Sequence, residues 1–302
     1  MIVFMDPGFA RAPLRIHFDR HGRSRPETTL ERDLRSSLRV GLAGLGAIGM
    51  AIARRLKGGI PGLALAAVAA RDNAAAQARL AASGITVRMV EVAALPEHCD
   101  VIVECAPASA FRSIAAPAIE AGRILVALSA GALLDHMELI ERAAITGARI
   151  LVPTGALIGL DAVRAAAEGS IASVKLVSRK PPSGLEGAPY LQGRSITLRG
   201  ITEPLKLFEG SAREGVRGFP ANVNVSAALA LAGIGPDRTR LEIWADPGIA
   251  RNVHHIEVEA DSARFSMTIE NVPSENPRTG RITALSAIAC LRGLVSTLKV
   301  GS

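Results

Sequence analysis

Gly44-Leu45-Gly46-Ala47-Ile48-Gly49 is the segment whose residue types and spacing bear most directly on chemistry. It follows a short apolar run, Leu38-Arg39-Val40-Gly41-Leu42-Ala43, and opens a stretch of helical periodicity. That context is what makes a GxGxxG pattern a dinucleotide-binding signal rather than a chance match. Gly44 permits the tight turn, Gly46 leaves room for a pyrophosphate beside the backbone, and Gly49 lets helix and strand pack closely. The N–H groups of the helix that opens at Ala47 and Ile48, with its positive dipole end, then face the phosphates. In such folds an acidic residue near the end of the second strand holds the adenosine ribose. Here the strand expected over 63–70 ends in Arg71-Asp72. Arg71 can stack on adenine or meet a 2′-phosphate, and Asp72 can reach a ribose hydroxyl, so both NAD and NADP are expected. A solvated strand end is the alternative for Arg71.

A nicotinamide moves a hydride but not a proton, so the chain must supply a proton-handling group and something to hold a substrate's charges. Of the six histidines, His17 and His21 lie in a doubtful amino-terminal stretch and His98 and His136 fall beside surface helix ends, which leaves His254 and His255. Neighbours on a strand point to opposite faces, so only one of the two can enter a given cleft. An imidazole with a pKa of about 6.5 can take a proton from an ammonium or an attacking water; for His254 the residues leave a structural role equally open. Lys57, Lys175, Lys180, Lys206 and Lys299 are expected in ordinary polar surroundings, so no lysine reads as a catalytic amine. Two further segments can meet a flat ring. Phe219-Pro220-Ala221-Asn222-Val223-Asn224-Val225 carries two amides, one suited to a carboxamide, with helix N-capping the plain alternative. Thr154-Gly155-Ala156-Leu157-Ile158-Gly159 is a small-residue turn past a strand end, equally explained as a domain junction.

These residues need a scaffold. Strands over 38–43, 63–70, 101–105, 124–128 and 150–152 alternate with helices over 47–57, 74–82, 110–121 and 133–146, a rhythm that predicts a Rossmann-type doubly wound parallel α/β sheet. From about residue 155 β-rich segments take over, at 174–177, 241–244, 255–260 and 264–270, around a buried helix at 221–232. The division expected is an extension over 1–36 outside the fold, a dinucleotide-binding domain over 37–154, an α+β substrate or oligomerisation domain over 155–275, and a carboxy-terminal helix from 276 to 302 packing back on the first domain.

With 302 residues, 49% hydrophobic and 21% charged, the chain can bury a sizeable core. Aromatics are only 3%, too few for a base-stacking surface, and the net charge of +7 is spread among mixed signs. Small anionic ligands therefore fit better than nucleic acid. Cys99, Cys105 and Cys290 have neither CxxC spacing nor paired histidines nearby, which argues against a disulfide framework and a metal site and for a reducing cytoplasm. No membrane span and no secretory signal are read.

Taken in order and spacing, the glycine turn, Ser129-Ala130-Gly131-Ala132-Leu133, Gly155-Ala156-Leu157-Ile158-Gly159-Leu160-Asp161-Ala162, Arg179-Lys180-Pro181-Pro182, Phe208-Glu209-Gly210-Ser211-Ala212-Arg213-Glu214, the Asn222 segment, Ala245-Asp246-Pro247-Gly248 through His254, and Asn276-Pro277-Arg278-Thr279 resemble the L-aspartate dehydrogenase family. The resemblance covers the chain from about Leu38 onward. It implies oxidative deamination of L-aspartate with NAD or NADP, through iminoaspartate to oxaloacetate and ammonia, or the reverse, with the imine feeding NAD synthesis in some members. It places the catalytic histidine at His254 and cofactor contacts at Ala156 and Asn224. Arg251, Arg278 and the N–H groups near Thr279 are the candidates for the two substrate carboxylates. A homodimer is expected, joined through an apolar face of the second domain's sheet. The alternatives are another two-domain oxidoreductase, of the homoserine dehydrogenase or dihydrodipicolinate reductase type, and a non-catalytic NAD(P)-binding protein.

Overall fold

The computed structural model describes residues 37–220, 223–274 and 280–301. Its first half runs β1 (Leu38–Ala43), α1 (Ala47–Lys57), β2 (Leu63–Ala69), α2 (Asn73–Ala82), β3 (Arg88–Met89), α3 (Leu95–His98), β4 (Val101–Glu104), α4 (Phe111–Glu120), β5 (Ile124–Ala127), α5 (Ala130–Leu134), α6 (Glu138–Thr146) and β6 (Arg149–Leu151). All six strands pair in parallel in the order β3-β2-β1-β4-β5-β6. The sheet is wound in two directions from β1, so the turn after β1 opens on the crevice between β1 and β4, where such sheets bind nucleotides. Helices cover both faces, which is why β4 reads as uninterrupted Val-Ile-Val-Glu, buried at every position.

The second half runs α7 (Leu160–Ala167), β7 (Ile171–Lys180), α8 (Pro189–Gln192), β8 (Leu205–Ser211), α9 (Ala212–Gly218), α10 (Asn224–Ala232), β9 (Thr239–Ala245), β10 (Asn252–Ala260), β11 (Arg264–Asn271) and α11 (Arg281–Val295). Its mixed sheet has the order β11-β10-β7-β9-β8, with β7 antiparallel to β10 and parallel to β9. One face of this sheet, with Val174, Leu176, Ile243 and Ile256, is buried with Val163 of α7 and Leu229 of α10. The closing helix α11 returns to the first domain, as expected, and buries Ala287 and Leu291 in the core shared by β1 and α1.

Two expectations are corrected. The sheet face turned away from the helices is charged, not apolar: Lys175 pairs with Glu242 at 2.9 Å, Arg179 lies over Trp244, and His255 bonds Thr268. Period-two alternation has committed most of the apolar side chains to the helix-covered face, and Val177, Val253 and Trp244 on the open face stand among charged residues. The helix expected over 133–146 is broken into α5 and α6. Short i to i−3 bonds, Asp135 N to Ala132 O and His136 N to Leu133 O, turn the chain so that Leu133, Leu139 and Ala143 all reach one core. Neither β8 nor α7 was anticipated. Cys99, Cys105 and Cys290 are free thiols. Among the described residues no helix is long and apolar enough to cross a membrane.

Candidate active site

The glycine turn behaves as its spacing requires. Gly44 has φ of +102°, and a Cβ there would lie 2.6 Å from the Cys105 carbonyl at the end of β4. A Cβ on Gly49 would lie 2.4 Å from the Gly44 carbonyl, so strand end and helix start touch directly. Gly46 is exposed and a Cβ on it would meet nothing within 4 Å. That open space, at the start of α1 where Ala47 and Ile48 follow, fits a pyrophosphate. Arg79 from α2 donates to the Leu45 carbonyl at 2.6 Å and steadies the turn from below. Arg71 is exposed just beyond β2, while Asp72 caps α2 by accepting from Ala75 N at 2.9 Å, so one oxygen of its carboxylate is committed to the helix.

The crevice continues into a cleft between the two sheets. Ile48 of α1 and Ser129 after β5 line it from the first domain, Ala156 from the junction just after β6, and Asn224, Lys180 and His254 from the second domain. Ile48, Ala156, Asn224 and His254, four of the residues expected from sequence, therefore meet in one place. Gly44, Gly46, Gly49 and Arg71 lie outward along the first sheet. Arg251 is exposed on the bend before β10 and does not line the cleft. Asn222, Arg278 and Thr279 lie outside the described residues, as does the 1–36 extension.

His254 is 2% exposed on the inner face of β10, whereas His255 points outward to Thr268 and Glu257. The Nδ1 of His254 lies 3.0 Å from Ser178 Oγ on the neighbouring strand. When the serine accepts from Nδ1–H, Nε2 is left as the basic nitrogen. Burial, with a smaller contribution from the Lys180 charge, holds the imidazole down at about 3, so it is neutral at physiological pH. The consequence for stability has a definite sign. Between about pH 6.5 and 3 the unfolded chain takes a proton that the folded chain refuses, so stability falls as pH falls through that window. Urea unfolding at pH 7 and pH 5 is expected to show about 2 kcal/mol lost on acidification that a His254→Gln variant does not lose.

The surrounding elements are locked by polar contacts. Asn224, at the start of α10, accepts from Gly131 N at 3.0 Å, joining the domains and leaving its amide donors for a carboxamide. Asn271 of β11 donates to the Ala156 carbonyl at 3.1 Å, and Gly155 N donates to Ser286 of α11 at 3.0 Å. Glu104, buried at the end of β4, accepts from Leu128 N, Ser129 N and Ser129 Oγ and so shapes the turn after β5. Burial pushes its carboxyl up against the pull of those bonds. Asp246 accepts from Arg179 and from Gly248 N, which makes the Ala245-Asp246-Pro247-Gly248 stretch a scaffold for the approach to β10. Cys105 Sγ donates to the Gly44 carbonyl, and burial drives its thiol far above the ordinary range, so it is no nucleophile.

Lys180 overturns an expectation. It is 4% exposed and lines the cleft, and burial brings its ammonium down to about 8. Ser178 and Arg179 precede it and two prolines follow, but on a strand the residues that share a face are two apart: Val174, Leu176, Ser178 and Lys180 are the buried positions at the period-two spacing along β7. Reading 171–180 as one alternating strand would have placed both Ser178 and Lys180 on the inner face. Asn271, Ser286 and Glu104 carried no comparable signal, because each acts on a segment distant in sequence.

Comparison with known proteins bears on both halves. Residues 161–294 match the family described as "Aspartate dehydrogenase, C-terminal", and residues 44–153 match "Homoserine dehydrogenase, NAD binding domain". The chain is 57% identical to the L-aspartate dehydrogenase of Bradyrhizobium diazoefficiens, over 88% of this chain and 95% of that one. It is 54% identical to L-aspartate dehydrogenase 3 of Bordetella bronchiseptica (89% and 99%) and 40% identical to the L-aspartate dehydrogenase of Methanosarcina acetivorans (88% and 100%). Among solved structures, aspartate dehydrogenase from Thermotoga maritima superposes with a TM-score of 0.66 at 21% identity, covering 87% of this chain and 99% of that one. Apo scyllo-inositol dehydrogenase from Lactobacillus casei does so at 0.51 and 13% identity, covering 86% and 87%. At these identities the structural likeness is one of fold.

Proposed function

Because the chain belongs to the L-aspartate dehydrogenase family, we propose that His254 is its proton-handling group in the NAD(P)-dependent oxidation of L-aspartate to oxaloacetate and ammonia. The observation that carries the reading is convergence: Ile48 of the first domain and Ala156, Asn224 and His254 of the second come from separate segments and line one cleft that continues the glycine crevice. The open space at Gly46 and the start of α1 would hold the cofactor's pyrophosphate, and Asn224 and Ala156 its carboxamide end; bound there, the cofactor supplies a hydride acceptor for the α-carbon. The chain's own residues do the rest. The cleft presents a neutral imidazole, oriented by Ser178, to the amine and then to the water that adds to the imine carbon. Collapse of that adduct releases ammonia and leaves the ketone. Entry of a dicarboxylate beside His254 raises its low proton affinity toward the working range, since opposite charge favours the imidazolium.

In division of labour, residues 37–154 with the closing helix hold the cofactor's pyrophosphate and adenosine end, and 155–275 hold the substrate and, through Ala156 and Asn224, the carboxamide end. The test is reduced-nicotinamide absorbance with each amino acid and each cofactor. Aspartate-dependent reduction supports the reading, and reduction with other amino acids but not aspartate refutes it. Arg71, exposed beside a helix-capping Asp72, supports use of both cofactors. Arg71→Ala is expected to raise the KM for NADP about tenfold while changing that for NAD less than about threefold. Equal effects on both would assign Arg71 to adenine stacking or to solvent.

A further inference from the structure

Of the expected carboxylate-binding arginines, Arg251 does not line the cleft and Arg278 lies outside the described residues. Among the described residues lining it, Lys180 is the one lysine or arginine, and no aspartate or glutamate lines it. Arg179, next to it, faces the other way, bonded to Asp246 at 2.9 Å and lying over Trp244. The lysine sits at the end of β7, on the face that also carries Ser178, opposite His254 on β10. A positive side chain that lines the cleft next to a neutral imidazole is suited to receive an anion.

We infer that Lys180 is the cation that receives one of the two carboxylates of the substrate. This rests on the reading that the substrate is aspartate, and it names the residue that makes the cleft select a dicarboxylic amino acid over a neutral one. Backbone supports the placement: Asp246 N donates to the Lys180 carbonyl at 2.8 Å, so the strand end from which the side chain projects is tied to β9. The depressed proton affinity of the ammonium agrees with it, because an arriving carboxylate restores the charged form that burial disfavours. Lys180 and His254 then have separate tasks: one holds the anion, the other moves the proton.

The experiment compares the full-length protein with Lys180→Met and Lys180→Gln. Succinate, a dicarboxylate without the amine this reaction oxidises, is titrated into each protein in the presence of NADH, followed by nicotinamide fluorescence and calorimetry. Both variants are expected to bind NADH as the parent does, which reports an intact fold, and to bind succinate about 10- to 100-fold more weakly. The KM for aspartate should rise by a similar factor, with kcat at saturation within about fivefold of the parent. Unchanged succinate binding in either folded variant overturns the inference. So does a collapse of kcat with unchanged KM, which would make Lys180 a proton-transfer group instead. A parent protein that reduces no cofactor with aspartate defeats the functional reading, yet the succinate titration still decides whether Lys180 is a carboxylate receptor.

Discussion

His254→Ala is expected to lower kcat for aspartate oxidation by about 100- to 10,000-fold while leaving the NADH dissociation constant within about threefold. The size follows from the arrangement around the ring. General acid–base transfer by a positioned side chain contributes that range, and the described cleft lining holds no second imidazole and no carboxylate to stand in. Cofactor affinity is spared because the glycine turn and the Ala156 and Asn224 segments are anchored by their own bonds, through Arg79, Asn271 and Gly131. Ser178→Ala should show a smaller loss of the same kind, since it leaves Nδ1 of a buried ring without its 3.0 Å partner and frees the tautomer. Full turnover by the alanine variant at 254 would hand the proton work to another group and end the proposed mechanism.

The second large effect separates binding from stability within six residues. Gly46→Val is expected to unfold within about 2 °C of the parent but to bind NADH more than about tenfold more weakly. The φ of −71° at Gly46 suits any residue, and a Cβ there meets only open space, so the folded protein has no reason to object. The space it fills is the space a pyrophosphate needs. Gly49→Ala should do the reverse in its first effect, lowering stability by about 2–4 kcal/mol. Glycine to alanine inside a free helix is favourable by about 1 kcal/mol, but here the new Cβ would sit 2.4 Å from the Gly44 carbonyl and 3.2 Å from Cys105 Sγ. Backbone on the opposing side cannot rotate away, so the clash decides the sign. Thermal melts and NADH titrations on the two variants check both halves. Equal melting temperatures for the two would show that strand and helix are not in contact as described.

The elements that carry the cofactor turn were legible because their signals are local. α1 begins and ends where its periodicity predicts, at Ala47 and Lys57, and β1 spans the expected 38–43. The glycine roles followed from backbone geometry that six consecutive residues specify among themselves. The opposite facing of His254 and His255 was also readable, from strand alternation alone. The broken helix was not, because the turn at 135–137 answers to a core shared with α4, formed by residues more than a dozen positions away. The charge of the second sheet's open face was misjudged because the same alternation was not followed across paired strands. Lys180 was misread for a related reason: the residues beside it along the chain are not the ones that surround it in space.

Periodicity, glycine placement and chain order were therefore enough to specify the doubly wound sheet and its phosphate turn, since each depends on covalent neighbours and backbone sterics. Which histidine lies buried, which lysine shares its cleft, and that Ala156, Asn224, Lys180 and His254 come together were settled only by packing of the two sheets across the interdomain gap. Desolvation is set by everything that surrounds a group, and the residues surrounding His254 and Lys180 are supplied by segments far apart along the chain.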